Sequence, residues 1–120
     1  MAKQSSEDRK AKQLPEPTGY RILVKPIEVE EKTAGGIILT ADHRHKEGLA
    51  SIVAFVLKTG PDVYKDKDRF PTGAYCKEGD FIMMQAYSGV RFEVHGEHFR
   101  LINDDSVQAV VEDPRGIVKV

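Results

Sequence analysis

From Tyr20 onward the apolar residues come in short runs bounded by turn residues, and nowhere do they recur at helical spacing over three turns. That pattern points to a small all-β sandwich or barrel. The first run, Arg21-Ile22-Leu23-Val24-Lys25, stops at Pro26. The run Ile52-Val53-Ala54-Phe55-Val56-Leu57 follows Ser51 and is continuous enough for a strand covered on both faces. Phe81-Ile82-Met83-Met84 comes after the turn signal Lys77-Glu78-Gly79-Asp80, and Val107-Gln108-Ala109-Val110-Val111 comes last. Between them, residues 90–95 and 98–102 alternate around Gly96-Glu97. Glycine at the first place of a two-residue loop is the type II′ signature. It predicts His95 opposite His98, Val94 opposite Phe99, Glu93 opposite Arg100 and Phe92 opposite Leu101. The apolar pairs then share one face and the opposite charges the other.

With 120 residues the chain fits one domain and not two ordinary ones. Its 18 basic and 19 acidic residues nearly cancel, which argues against non-specific binding to nucleic acid or to an anionic membrane. Cys76 is the one cysteine, so neither an internal disulfide nor a multi-thiolate zinc site is available. No run approaches the length of a membrane helix, and Walker A and GxGxxG patterns are absent. These exclusions favour a binding module over an enzyme. Residues 1–19 read as a polar flexible arm, with only Met1, Ala2, Ala11 and Leu14 apolar before Pro15 and Pro17 mark the domain boundary. The arm has no secretory core segment, and its acidic residues argue against a transit peptide.

Residues 28–48 differ from the rest. Charged Glu28-Val29-Glu30-Glu31-Lys32 leads through Ala34-Gly35-Gly36 to the apolar triplet Ile37-Ile38-Leu39, then to polar Asp42-His43-Arg44-His45-Lys46-Glu47. About twenty residues without a clear element usually mean a functional or disordered loop. The triplet reads equally as a short core strand.

The series Arg21-Ile22-Leu23-Val24-Lys25, Glu28-Val29-Glu30 and Lys32-Thr33-Ala34-Gly35-Gly36-Ile37-Ile38-Leu39-Thr40 resembles the first strand and mobile loop of the GroES co-chaperonin family. The resemblance continues through Ile52-Val53-Ala54-Phe55-Val56, Gly79-Asp80, Tyr87-Ser88-Gly89-Val90 and Asp105-Ser106-Val107 to Glu112. It implies an irregular GroES-like β-barrel over 20–112, with a mobile loop over 28–48, a roof hairpin over 60–75 and a tail over 113–120. The roof stretch is unlike that of common bacterial members, so a divergent bacterial or a phage-encoded relative both fit. The family further implies a seven-membered dome that caps an ATP-dependent GroEL-like chaperonin in the cytoplasm and encloses an unfolded client. It binds no cofactor itself. By resemblance, Gly35, Gly36, Ile37, Ile38 and Leu39 would dock on the chaperonin, and Tyr87 would face the chamber. The residues alone also allow Tyr87 to be a turn tyrosine packed on a neighbouring strand.

Competing readings are weaker. His43 with His45, or His95 with His98, could chelate a metal, yet neither pair has an obvious third ligand. A fragment of a zinc-dependent alcohol dehydrogenase would need cysteine ligands and a nucleotide domain that the chain lacks. A viral structural β-barrel that binds no chaperonin is the remaining alternative. Cys76 is expected to be a small, semi-buried apolar residue. Strands near residues 20–24 and 107–111 are expected at open edges, where they would pair between subunits.

Overall fold

The computed structural model describes residues 13–32, 38–39 and 51–120, with backbone alone at 31–32 and 38–39. Among the described residues nine strands form in chain order: β1 (Arg21–Ile27), β2 (Glu30–Lys32), β3 (Ile38–Leu39), β4 (Val53–Thr59), β5 (Phe81–Met84), β6 (Val90–Val94), β7 (Glu97–Asn103), β8 (Val107–Val111) and β9 (Val118–Lys119). Six of them make an antiparallel sheet in the order β6-β7-β1-β4-β5-β8, and the other three a small sheet in the order β3-β2-β9. The all-β class read from the sequence is the one observed.

Ile22 and Val24 of β1, Ala54 and Val56 of β4, Ile82 and Met84 of β5, Ile102 of β7 and Val107 of β8 converge on one core. Alternate residues of five strands meet there, so the sheet curls around them. Two bulges help it bend. Leu23 pairs with Lys58 but Val24 with Val56, leaving Leu57 extra; Met83 pairs with Ala109 but Met84 with Val107, leaving Gln108 extra.

The β6–β7 hairpin forms in a register different from the expected one. Val94 pairs with Glu97, Glu93 with His98, Phe92 with Phe99 and Arg91 with Arg100. The loop is therefore His95-Gly96, and both residues have positive φ, 51° and 79°. That is the type I′ requirement, with glycine second and a histidine accepting the left-handed conformation. The sequence reading put the glycine first. His95 and His98 consequently do not face each other, and the Phe92 and Phe99 rings stack instead at 5.8 Å.

Two further expectations are corrected. β1 lies between β7 and β4, so it has no free edge to offer a neighbour; β6 and β8 are the edges. Residues 60–75 run as successive turns without paired strands, so the roof there is not a β-hairpin. Two of its three aromatic residues turn inward, where such side chains bury a large apolar area. Tyr64 and Phe70 are buried, with rings edge to face at 4.9 Å, and Tyr75 packs on both. Buried Asp104, in a 3-10 turn after β7, accepts the Tyr64 N–H at 3.1 Å and lies 3.8 Å from the Arg69 guanidinium. That bond holds Tyr64 at φ 58°, a conformation few tyrosines adopt.

Cys76 is buried, as expected, with Sγ 3.5 Å from the Tyr64 hydroxyl. Burial first, then the bond to Cys76, pushes the Tyr64 phenol far above the ordinary tyrosine range. Burial also pushes the Cys76 thiol up, although the Tyr64 hydrogen bond pulls the other way. Both groups stay neutral in the fold, so their contribution is complete below the unfolded-state values and is lost as pH rises past them. Melting temperature should therefore fall above about pH 9, where an unfolded thiol and then a phenol ionise. In thermal melts from pH 8 to 11, a Tyr64→Phe/Cys76→Ala double variant should show a shallower fall than the parent.

Candidate functional site

Residues 28–52 leave and rejoin the main sheet at one place, because Ile27 of β1 pairs with Val53 of β4. Val29 and Ser51 are buried at the two roots of this excursion. Within it, β2 pairs antiparallel with β3, Glu31 opposite Leu39 and Lys32 opposite Ile38. Ile38 and Leu39 thus form a strand outside the main sheet rather than one of its six members, and β3 is an outer edge of the smaller sheet. Gly35, Gly36 and Ile37 lie outside the described residues, as do His43, His45 and the arm before Gln13.

The other side of β2 is covered by β9, which runs parallel to it, Glu30 opposite Val118 and Glu31 opposite Lys119. The sequence reading left residues 113–120 as a tail. A signal was available: Pro114-Arg115-Gly116 is turn chemistry, and Ile117-Val118-Lys119-Val120 is rich in β-branched residues.

Tyr87 is 62% exposed, so it is not packed on a neighbouring strand. It occupies the third position of a turn closed by the Ser88 N–H donating to the Gln85 carbonyl at 3.2 Å, with φ 65°. A positive φ at that position is the type II requirement, usually met by glycine. The fully buried Arg100 sits beneath, its Nη1 donating to the Ser88 carbonyl at 3.5 Å. Burial, and next the like charge of Arg91 opposite it on β6, lowers the Arg100 pKa.

The edge strand β8 carries a further surface that the sequence reading placed only as an edge. Tyr75, Val107, Gln108, Ala109 and Val110 line a groove of about 370 Å³ along it. Val110 and Tyr75 are both exposed. No group of three or more His, Cys, Asp or Glu residues that could hold a metal occurs among the described residues. His95 bonds instead to the Gln13 side chain. No described helix is long and apolar enough to cross a membrane.

A curled antiparallel domain whose candidate residues lie on strand edges, an exposed turn and an excursion from the sheet is a protein-binding β module. The Chaperonin 10 Kd subunit family model matches residues 15–111, and the chain belongs to that family. Relatives include proteins named "Co-chaperonin GroES" from Clostridium beijerinckii, 33% identical over 96 residues, covering 80% of this chain and 96% of that protein. Those from Clostridium perfringens and Desulfotalea psychrophila are each 32% identical over the same shares. Co-chaperonin function follows from this kinship, and a viral structural barrel has no support.

Proposed function

We propose that the chain assembles into a seven-membered ring that caps a GroEL-like chaperonin and closes the chamber over an unfolded client. The observation that carries this reading is β3: in a member of this family, Ile38 and Leu39 stand outside the main sheet, on the outermost strand of the smaller one among the described residues. Gly35, Gly36, Ile37, Ile38 and Leu39 form the docking segment. Each of its three large apolar side chains contributes about 1.5 to 3 kcal/mol when buried in an apolar groove. Ordering the backbone opposes this by about 1 to 2 kcal/mol per residue. One subunit alone binds weakly, and a ring of them binds firmly through effective concentration while still releasing when the groove changes. ATP belongs to the chaperonin, and this chain acts by binding rather than by catalysis. Tyr87, exposed on its turn, is the contact offered to the client. The setting is the cytoplasm, that of a host if the chain is phage-encoded.

The β8 edge and its groove support ring closure, since a neighbour's chain adding to β8 would cover Val110 and Ala109. Native mass spectrometry tests the whole reading. The pure protein should have the mass of a ring and should join a chaperonin when ATP is added. Val110→Lys should shift the mass towards single subunits with the circular dichroism unchanged. A strictly monomeric parent at micromolar concentration would contradict ring assembly.

A further inference from the structure

We infer that Arg100 is a positioning residue for Tyr87: its buried guanidinium fixes the turn that presents the tyrosine ring to the client. The client's part in this rests on the function proposed above; the fixing of the turn does not. Three costly features converge on residues 85–101. Tyr87, not a glycine, occupies the positive-φ position of its turn, at 65°. A bulky residue is strained there. Gly89 has φ 75° and approaches β7 so closely that a Cβ would meet the Leu101 carbonyl carbon at 3.0 Å. Arg100 is fully buried, although its partner across the ladder is the like-charged Arg91. Taking a guanidinium out of water is unfavourable, and a like charge directly opposite adds to the cost.

All three act on the same peptide units. The Ser88 N–H closes the turn on the Gln85 carbonyl at 3.2 Å, and the Ser88 carbonyl accepts from the Arg100 Nη1 at 3.5 Å. Ser88 is thus held at both its polar groups, and Gly89 seats the next residue against β7. Relaxation of Tyr87 to an ordinary negative φ would swing Ser88 away from both partners. A guanidinium donor gives a charge-assisted bond, and burial removes the water that would compete for it. The Tyr87 ring is mostly exposed, so its burial does little to offset the strain. Strain that the surroundings enforce is a mark of functional sites. Here it sets the direction of an aromatic ring, and exposed Val90 extends the apolar surface beside it. A ring fixed in advance loses less freedom on meeting an apolar stretch of unfolded chain.

Four full-length variants are compared with the parent: Arg100→Met, which keeps most of the buried volume, Arg100→Lys, which keeps one charged donor, Tyr87→Gly, and the Arg100→Met/Tyr87→Gly double variant. In the free proteins, amide exchange over residues 85–89 should speed up about five-fold or more in Arg100→Met, with protection in β1, β4 and β5 retained. Arg100→Lys should lie between Arg100→Met and the parent. Tyr87→Gly should melt a few degrees above the parent, because glycine takes the positive φ without strain. In the refolding of denatured malate dehydrogenase by a chaperonin with ATP, the yield should fall several-fold in Arg100→Met and in Tyr87→Gly. The double variant should do no worse than Tyr87→Gly alone, as expected where one residue acts through the other. Unchanged exchange over residues 85–89 in Arg100→Met overturns the proposal. So does faster exchange throughout the domain, or failure of both Arg100 variants to fold, since either makes Arg100 a general structural residue. Tyr87→Gly melting no higher than the parent denies the strain and overturns it too. Faster local exchange with an unaltered yield, or additive losses in the double variant, overturns the link to the client. If the parent itself does not assist refolding, the proposed function falls with that link, and exchange alone still decides whether Arg100 fixes the turn.

Discussion

Leu39→Ser is expected to abolish measurable capping of a chaperonin while leaving the melting temperature within a few degrees of the parent. Leu39 belongs to β3, which among the described residues pairs with β2 and is not a member of the six-stranded sheet. Loss of one buried leucine contact costs roughly 1.5 to 3 kcal/mol per docked segment. A ring repeats that loss at every subunit engaged, so even partial engagement lowers affinity by several orders of magnitude. Ile38→Ser should behave alike. A core leucine gives the opposite result, since large-to-small core changes cost about 2 to 5 kcal/mol in stability. Thermal melting and inhibition of chaperonin ATPase, measured together, separate the two. If Leu39→Ser melts far below the parent but binds normally per folded molecule, the docking assignment is wrong.

The largest loss of stability is expected from Gly89→Ala. Gly89 has φ 75° and sits where the Tyr87 turn feeds into β6. A Cβ there would drive into the Leu101 carbonyl oxygen, and would lie 2.8 Å from Ile102 Cγ2 and 3.0 Å from the Leu101 carbonyl carbon. Two of these three atoms are backbone of β7, so relief requires β6 and β7 to separate. Backbone strain and overpacking together should cost about 3 kcal/mol or more. For a domain of this size that lowers the melting temperature by about 12 °C or more. Calorimetry checks it, and a Gly89→Ala protein that melts within 3 °C of the parent, a margin of about 0.8 kcal/mol, would show that the turn relaxes freely.

The strands were legible because their information is local: short apolar runs between turn residues demand no knowledge of the rest of the chain. The hairpin at His95-Gly96 was legible as a hairpin but not in register. Type I′ and type II′ loops both want glycine, and the difference depends on His95 taking a positive φ, which histidine rarely does. Strand order was hidden altogether, since β1 pairs with β7 some eighty residues on, by a contact that no local pattern encodes. The same distance hid the inward turn of Tyr64, whose N–H is held by Asp104 forty residues later. In the candidate site, periodicity left Ile38 and Leu39 open between core and loop, and the family resemblance decided for the loop. The pairing of β9 with β2 joins residues far apart in sequence, so the turn at Gly116 was visible while its destination was not.

The closure of residues 28–52 at the Ile27–Val53 pair separates two kinds of evolutionary freedom. Because the excursion begins and ends at adjacent positions, the part of it beyond the buried roots Val29 and Ser51 and the β2–β9 pairing can change in length with little effect on the six-stranded sheet. Loop-closure entropy grows only logarithmically, so doubling such a segment costs about 0.6 kcal/mol. A lineage could therefore retarget this cap to a different ring by rewriting one cassette, with the packing of Ile22, Val56 and Ile82 untouched.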